Sequence, residues 1–169
     1  KFLKPAAKVA KTAEIAKQSG VPAYFPKLVE KIKLLGDDIT EIGATAERQK
    51  VTSYKNYTLT EDVSTGALTI DKKTEGGGMF RVGDDVEYES GIVREERMEY
   101  TPPSEDNDPK TKKVIKYPAE YEEVTIRPDF EGKMKDVDFG LDSMDEILKE
   151  VGETKIKKSG GGLAYMLGE

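Results

Sequence analysis

The sequence contains neither histidine nor cysteine among its 169 residues. Without histidine it lacks the commonest general base, the usual zinc ligand and every catalytic triad built on imidazole. Without cysteine it has no disulfide, no thiolate nucleophile and no soft-metal ligand. These absences remove most hydrolase mechanisms, and we therefore expect a protein that is not an enzyme and that holds no cofactor and no metal.

Long apolar runs are also missing. No stretch approaches the roughly 20 consecutive apolar residues that a membrane span requires, and the N-terminus lacks the apolar core of a signal peptide. We expect no membrane span. The first residue is lysine rather than methionine, which predicts that the chain is part of a longer polypeptide.

Charge is abundant and unevenly placed. Charged residues make up 36% of the chain, and the formal net charge is −6. Residues 1–50 carry a net charge of +4, so the remaining residues carry −10. So much charge leaves a thin core and favours segments that partners cover, and the acidic excess opposes nucleic-acid binding.

Residues 1–48 form a predicted helical region. Alanine and lysine between residues 5 and 18 favour helix by intrinsic propensity. After Gly20 the apolar residues recur at spacings of three and four, which predicts a second helix with one buried face. That face comprises Phe25, Leu28, Val29, Ile32 and Leu35.

Residues 49–127 form a predicted antiparallel β region. Residues 54–60 and 68–70 alternate polar with β-branched or aromatic side chains around the turn at 64–66, which is typical of a hairpin. Glycines 76–78 indicate a flexible turn, residues 84–100 an extended segment, and residues 101–113 a loop. Residues 114–115 and 121–126 are the remaining strand candidates.

Residues 128–169 are predicted to hold an acidic turn, a short helix and a glycine-rich tail. Ser143 and Glu146 have the spacing of a capping box that opens the short helix. The predicted class is therefore α+β, with an N-terminal helical region, an antiparallel sheet, a short C-terminal helix and a flexible tail.

Two patterns have some features of chemical sites, and each also has a simpler interpretation. Glu89-Ser90 is similar to the Glu-Ser of lytic transglycosylases, but it lies in an extended charged segment without the further motifs, which favours a solvated strand residue. An acidic cluster offers oxygen ligands for calcium, but its glycine does not fit the EF-hand spacing, which favours a solvated turn. The cluster comprises Asp129, Glu131, Asp136, Asp138 and Asp142.

The C-terminal tail supplies the candidate partner-binding residues. After Gly160–Gly162 come four large apolar side chains, Leu163, Tyr165, Met166 and Leu167. An apolar segment on a flexible spacer gains affinity from its high effective concentration near a docking groove. We predict that it inserts into a groove on a partner protein or an adjacent copy; the alternative is that it folds back on its own sheet.

Three stretches carry a resemblance: residues 54–70, residues 121–137 and residues 160–169. They resemble uncharacterised proteins of tailed bacteriophages, marine ones in particular. The resemblance implies a viral protein, located in the virion or otherwise in the host cytoplasm. The expected function is a non-enzymatic structural or assembly module that docks on neighbouring viral proteins. The alternative is an acidic inhibitor that binds a host nucleic-acid enzyme by mimicking nucleic-acid charge.

Overall fold

A computed structural model describes residues 13–152 and confirms the α+β class. The helices are Tyr24–Leu35 (α1), Thr40–Gly43 (α2) and Met144–Glu150 (α3), and residues 13–16 are also helical. The strands are Asp37–Asp38 (β1), Gln49–Tyr54 (β2), Tyr57–Asp62 (β3), Leu68–Val82 (β4), Asp85–Thr101 (β5), Ser104–Asn107 (β6), Val114–Tyr117 (β7), Glu120–Pro128 (β8) and Met134–Phe139 (β9). None of these helices is long and apolar enough to cross a membrane.

Seven strands form one antiparallel sheet in the order β1-β2-β3-β4-β5-β8-β9. Strands that follow one another in the chain therefore lie side by side, apart from the β6–β7 hairpin, which is inserted between β5 and β8. This arrangement makes β1 and β9 the two edges of the sheet.

The core lies between α1 and one face of the sheet. Phe25, Leu28, Val29 and Ile32 are fully buried, as the spacing predicts. They pack with sheet residues that include Met98, and α3 adds Ile147 beside them. We call this the covered face of the sheet.

Leu35 was predicted to be buried with the same stripe, but it is 60% exposed. The helix ends at this residue, and Gly36 takes an extended conformation that leads directly into β1. A Cβ at Gly36 would lie 2.6 Å from the Ile32 carbonyl oxygen and 2.7 Å from that of Ser53. Glycine is required here because the end of α1 rests on the backbone of β2.

Strands β4 and β5 are much longer than their neighbours. Beyond Thr74 and Arg94 they pair with each other and no longer with β3 or β8, so residues 74–94 project as a two-stranded arm. Glycines 76–78, predicted as a flexible turn, lie inside β4 at a register shift. A Cβ at Gly76 would lie 2.6 Å from the Arg94 guanidinium carbon, so these glycines make room for packing rather than for a turn.

The predicted boundaries need four corrections. The sheet extends beyond 49–127, because β1 lies in the helical region and β9 lies in what was predicted as an acidic turn. The predicted loop at 101–113 contains β6. Residues 54–60 are not one strand, since β2 and β3 are joined at Lys55 and Asn56, with Lys55 at φ 53°. The Ser143 side chain makes no capping hydrogen bond to α3.

Candidate interaction surface

The face of the sheet opposite α1, here the open face, divides into a polar and an apolar part. On β3 and β4 it presents Thr58, Thr60, Thr69 and Asp71. Helix α2 covers its β2 end, where Gly43 and Ile39 approach Val51. At the other side of the open face, apolar side chains lie on β8 and β9.

Four apolar residues form a contiguous patch there, which we call the open-face patch. Val124 pairs with Phe139, and Ile126 pairs with Val137, so all four side chains point to one face. Phe139 is 83% exposed and Val137 is 50% exposed. Single exposed apolar residues are ordinary on a protein surface, but a contiguous group is a mark of an interaction site.

The patch reaches the outer edge of the sheet. All six residues of β9 are exposed, and within residues 13–152 this strand pairs with β8 alone. A free edge offers unpaired backbone donors and acceptors to another chain, and charges commonly protect such an edge. Here Asp136 and Asp138 project to the covered face, where Asp138 pairs with Arg127. The open face at Val137 and Phe139 lacks that protection.

An acidic pair borders the patch. Glu99 of β5 and Glu122 of β8 lie directly opposite each other on the open face, and both are exposed. Within residues 13–152 neither makes a salt bridge or a side-chain hydrogen bond. Like charges in opposed positions of a sheet destabilise it. A cationic partner would relieve this repulsion. The surface therefore combines an apolar patch with two adjacent carboxylates that favour a positively charged partner.

A second charged cluster lies on the same face, toward β4. The Arg97 guanidinium donates to Asp71 over 2.9 Å and to Glu95 over 2.7 Å. Burial, and then the hydrogen bond with Glu95, raise the pKa of Asp71 from 3.8 to about 6. The pKa of Glu95 is lowered, chiefly by that same hydrogen bond. Arg97 is therefore occupied, and this cluster stiffens the sheet beside the patch.

The covered face contains a buried ionic cluster. The fully buried Glu96 carboxylate accepts a hydrogen bond from the Ser143 backbone N–H at 2.6 Å and another from the Ser143 hydroxyl. The Lys72 ammonium lies 3.5 Å from Glu96 and 3.5 Å from Glu146. The Ser143 hydroxyl is a donor here and does not cap α3, so the predicted capping box is wrong. Glu96 ties the start of α3 to the middle of the sheet.

An open cavity of about 840 Å³ lies between the arm and the β8–β9 hairpin. Its cations are already engaged. Arg94 binds Asp142 at 2.5 Å and the Gly77 carbonyl at 2.5 Å, while Arg127 binds Asp138 and reaches Asp142 at 3.3 Å. These contacts hold the arm against the sheet. Among the described residues that line the cavity, both guanidinium groups are paired with carboxylates, although the Nε of Arg94 and the Nε of Arg127 are buried without a hydrogen-bond partner.

A smaller groove, of about 360 Å³, lies on the covered face. Its walls come from residues 14–18, from Val29 of α1 and from Leu68, Tyr100 and Pro102 of the sheet side. At the groove, the Lys33 ammonium forms an ion pair with the Glu61 carboxylate, with 2.9 Å between nitrogen and oxygen. The groove opens where the described part of the chain begins.

The acidic cluster considered for calcium is divided among several ion pairs. Asp129 accepts from Lys135 at 3.4 Å, and Asp138 and Asp142 bind arginines. Within residues 13–152, no group of three or more acidic side chains is placed to hold a metal ion. Glu89 lies in β5 on the arm, as the extended pattern indicates.

The predicted partner-binding residues Leu163, Tyr165, Met166 and Leu167 lie outside the described residues. Charge dominates residues 129–142 in the sequence and hides the open-face patch. One of its two strands does carry a signal, because Asp136, Val137, Asp138 and Phe139 alternate polar and apolar, the period of a half-exposed strand; this alternation does not show that the strand pairs with β8.

In comparisons with known proteins, no family model, no curated protein and no solved structure matches the chain.

Proposed function

We propose that the chain is a non-enzymatic structural or assembly module that docks on neighbouring proteins through the open-face patch and the β9 edge. The observation that carries the proposal is the exposed apolar group, including Phe139 at 83%, which lies partly on a strand that has no partner on its outer side within residues 13–152. Together these features supply what a docking surface needs: apolar area to bury and backbone groups to pair.

Burial of apolar area favours a partner on this surface. Fully burying a side chain such as valine or phenylalanine stabilises a contact by about 1.5–3 kcal/mol. Four such residues in contact give a partner a compact apolar centre, and Glu99 and Glu122 at its rim favour a basic partner. A strand added to β9 would lie alongside the patch, so both features can serve one partner.

The identity of the assembly is proposed from the sequence resemblance. The stretches at 54–70 and 121–137 resemble proteins of tailed bacteriophages, and the second stretch contains most of β8 and most of β9. The proposed place of the chain is therefore the virion, with other viral proteins as neighbours.

Mass spectrometry of purified phage particles tests this proposal. The chain should be present in stoichiometric amounts in particles that have been banded by density and washed in high salt. Its absence from particles, together with its presence in the soluble host lysate, would contradict the virion role.

One observation favours the alternative, an acidic inhibitor of a host nucleic-acid enzyme. Asp85, Glu87 and Glu89 alternate along β5 of the arm, so their carboxylates share one face about 6.8 Å apart. All three are exposed and make no ion pair within residues 13–152. A chain absent from virions whose binding to a host enzyme is lost in the Asp85→Asn/Glu87→Gln/Glu89→Gln variant would establish this function instead.

A further inference from the structure

We propose, resting on the docking role above, that the open-face patch binds the C-terminal apolar segment, residues 163–167, of a second copy of this chain. The segment lies outside the described residues, and its sequence supplies four large apolar side chains: Leu163, Tyr165, Met166 and Leu167. The patch offers four partly or largely exposed apolar residues in two opposed pairs. The inference thus names an occupant for a surface that the described residues leave uncovered.

Charge complementarity supports this occupant. Residues 153–158 carry three lysines and one glutamate, a net charge of +2, and a short serine-glycine spacer separates them from the apolar segment. The patch is bordered by Glu99 and Glu122, which make no ion pair within residues 13–152. When the apolar segment lies on Val137 and Phe139, the five steps from Lys158 to Leu163 span up to about 16–18 Å. That length lets the lysines reach the glutamates.

The position of the end of α3 favours a neighbouring copy over the same copy. Glu150 is fixed beside the β2–β3 turn, because its carboxylate binds Lys31 at 2.8 Å, Tyr54 at 2.9 Å and Lys55 at 3.1 Å. This anchor lies on the covered face, whereas the patch lies on the open face. Strand β9 is four strands from β3, about 19 Å at about 4.8 Å per strand.

The connecting chain is short for that route. From Gly152 to Leu163 there are 11 steps, which reach at most about 36–40 Å when fully extended. A path to the patch of the same copy must cover the width of four strands, change faces and pass the arm. That path is longer than the roughly 19 Å that the strand spacing alone requires. A neighbouring copy can bring its patch to the segment without this cost.

A contact between the tail of one copy and the patch of the next is heterologous. Such contacts generate closed rings or open filaments, or a two-fold dimer when two copies exchange their tails. The inference therefore predicts concentration-dependent species of two or more copies, which is the behaviour that an assembly module needs.

Two complementary variants of the 169-residue chain test the inference. In the first, residues 163–169 are deleted, so the patch remains without a tail. In the second, Val137→Lys and Phe139→Lys block the patch while the tail remains. Both positions are at least half exposed, so both variants should fold, which far-UV circular dichroism checks. Sedimentation velocity then measures the mass of each variant alone and of their mixture.

The wild-type chain should self-associate, each variant alone should be monomeric, and the mixture should form a 1:1 complex that grows no further. In the patch-intact variant, Glu99→Gln/Glu122→Gln should weaken that 1:1 complex at least tenfold at low salt and less at high salt. A matched control, Phe2→Ser/Leu3→Ser, removes apolar residues from the other end of the chain and should leave association unchanged.

Three outcomes would overturn the inference: a monomeric wild-type chain, a mixture that stays monomeric, or loss of association in the Phe2→Ser/Leu3→Ser control but not after the tail deletion. None of these outcomes tests docking on other proteins. If the patch variant is lost from virions while the tail deletion is retained, the proposed function stands and the tail is not the occupant.

Discussion

Replacing Glu96 by glutamine removes one charge from the core and nearly nothing else. Glu96 is fully buried, and the side chain of its cation partner Lys72 is 2% exposed. The amide keeps the shape of the carboxylate but leaves the ammonium with Glu146 alone, whose side chain is 67% exposed. Breaking one side of a buried ion pair costs about 3–5 kcal/mol. The amide still accepts one hydrogen bond from Ser143, so we expect a loss of about 3 kcal/mol.

Thermal and urea unfolding, followed by far-UV circular dichroism, measure this loss. A loss of 3 kcal/mol corresponds to a melting temperature lower by about 6–12 °C in a chain of this size. Glu99→Gln is the matched control, because this exposed residue lies three positions along the same strand, and it should change the stability by less than about 0.5 kcal/mol.

The Lys72→Met/Glu96→Gln double variant completes a mutant cycle. With both charges gone, neither is left buried alone, so the double variant should be more stable than Glu96→Gln by about 1–2 kcal/mol. If the double variant instead loses the sum of the two single losses, Lys72 and Glu96 do not interact, and the ionic anchor of α3 is refuted.

Three further predictions concern pH and packing. Asp71→Asn should flatten the pH dependence of stability between about pH 4 and 6, because burial raises the pKa of Asp71 to about 6 and its contribution to stability is lost as the pH rises through that range; pH-dependent melting of the variant should lack that decline. Glu150→Gln should cost about 1 kcal/mol at pH 7 and nothing near pH 2, since its lysine partners lower the pKa of Glu150 to about 2; an equal loss at both pH values would contradict this. Gly36→Ala should cost about 1–3 kcal/mol because its Cβ would meet backbone atoms, whereas Gly77→Ala should cost less because its Cβ meets the exposed Tyr88 side chain; urea unfolding compares the two.

Local sequence patterns are sufficient to predict a helix or strand when one of its faces is apolar. The spacing of Phe25, Leu28, Val29 and Ile32 predicted α1 and its buried face because a helix repeats every 3.6 residues. The β3–β4 hairpin followed in the same way from alternation and turn residues. The class, the sheet and the short C-terminal helix could therefore be predicted without the structure.

Long-range features could not be predicted in this way. Glycines 76–78 have the composition of a turn, but they lie inside β4. Their place there depends on contacts with Arg94 and Tyr88, which lie on the neighbouring strand β5. Ser143 and Glu146 have the spacing of a capping box, but Ser143 donates its hydrogen bonds to the carboxylate of Glu96, 47 residues away in the chain. The open-face patch is formed by pairing between β8 and β9, and no single segment displays it.

The exposed Phe139 tests the central claim most directly. Phage that encode Phe139→Ser should yield particles in which mass spectrometry finds the chain depleted at least about tenfold, the factor that 1.4 kcal/mol of lost apolar contact produces. The control is Ile42→Ser, since Ile42 is 86% exposed against 83% for Phe139 but lies on α2, at the far end of the sheet. Particles carrying the Ile42→Ser chain should contain the wild-type amount. Equal incorporation of both variants would contradict docking through the open-face patch.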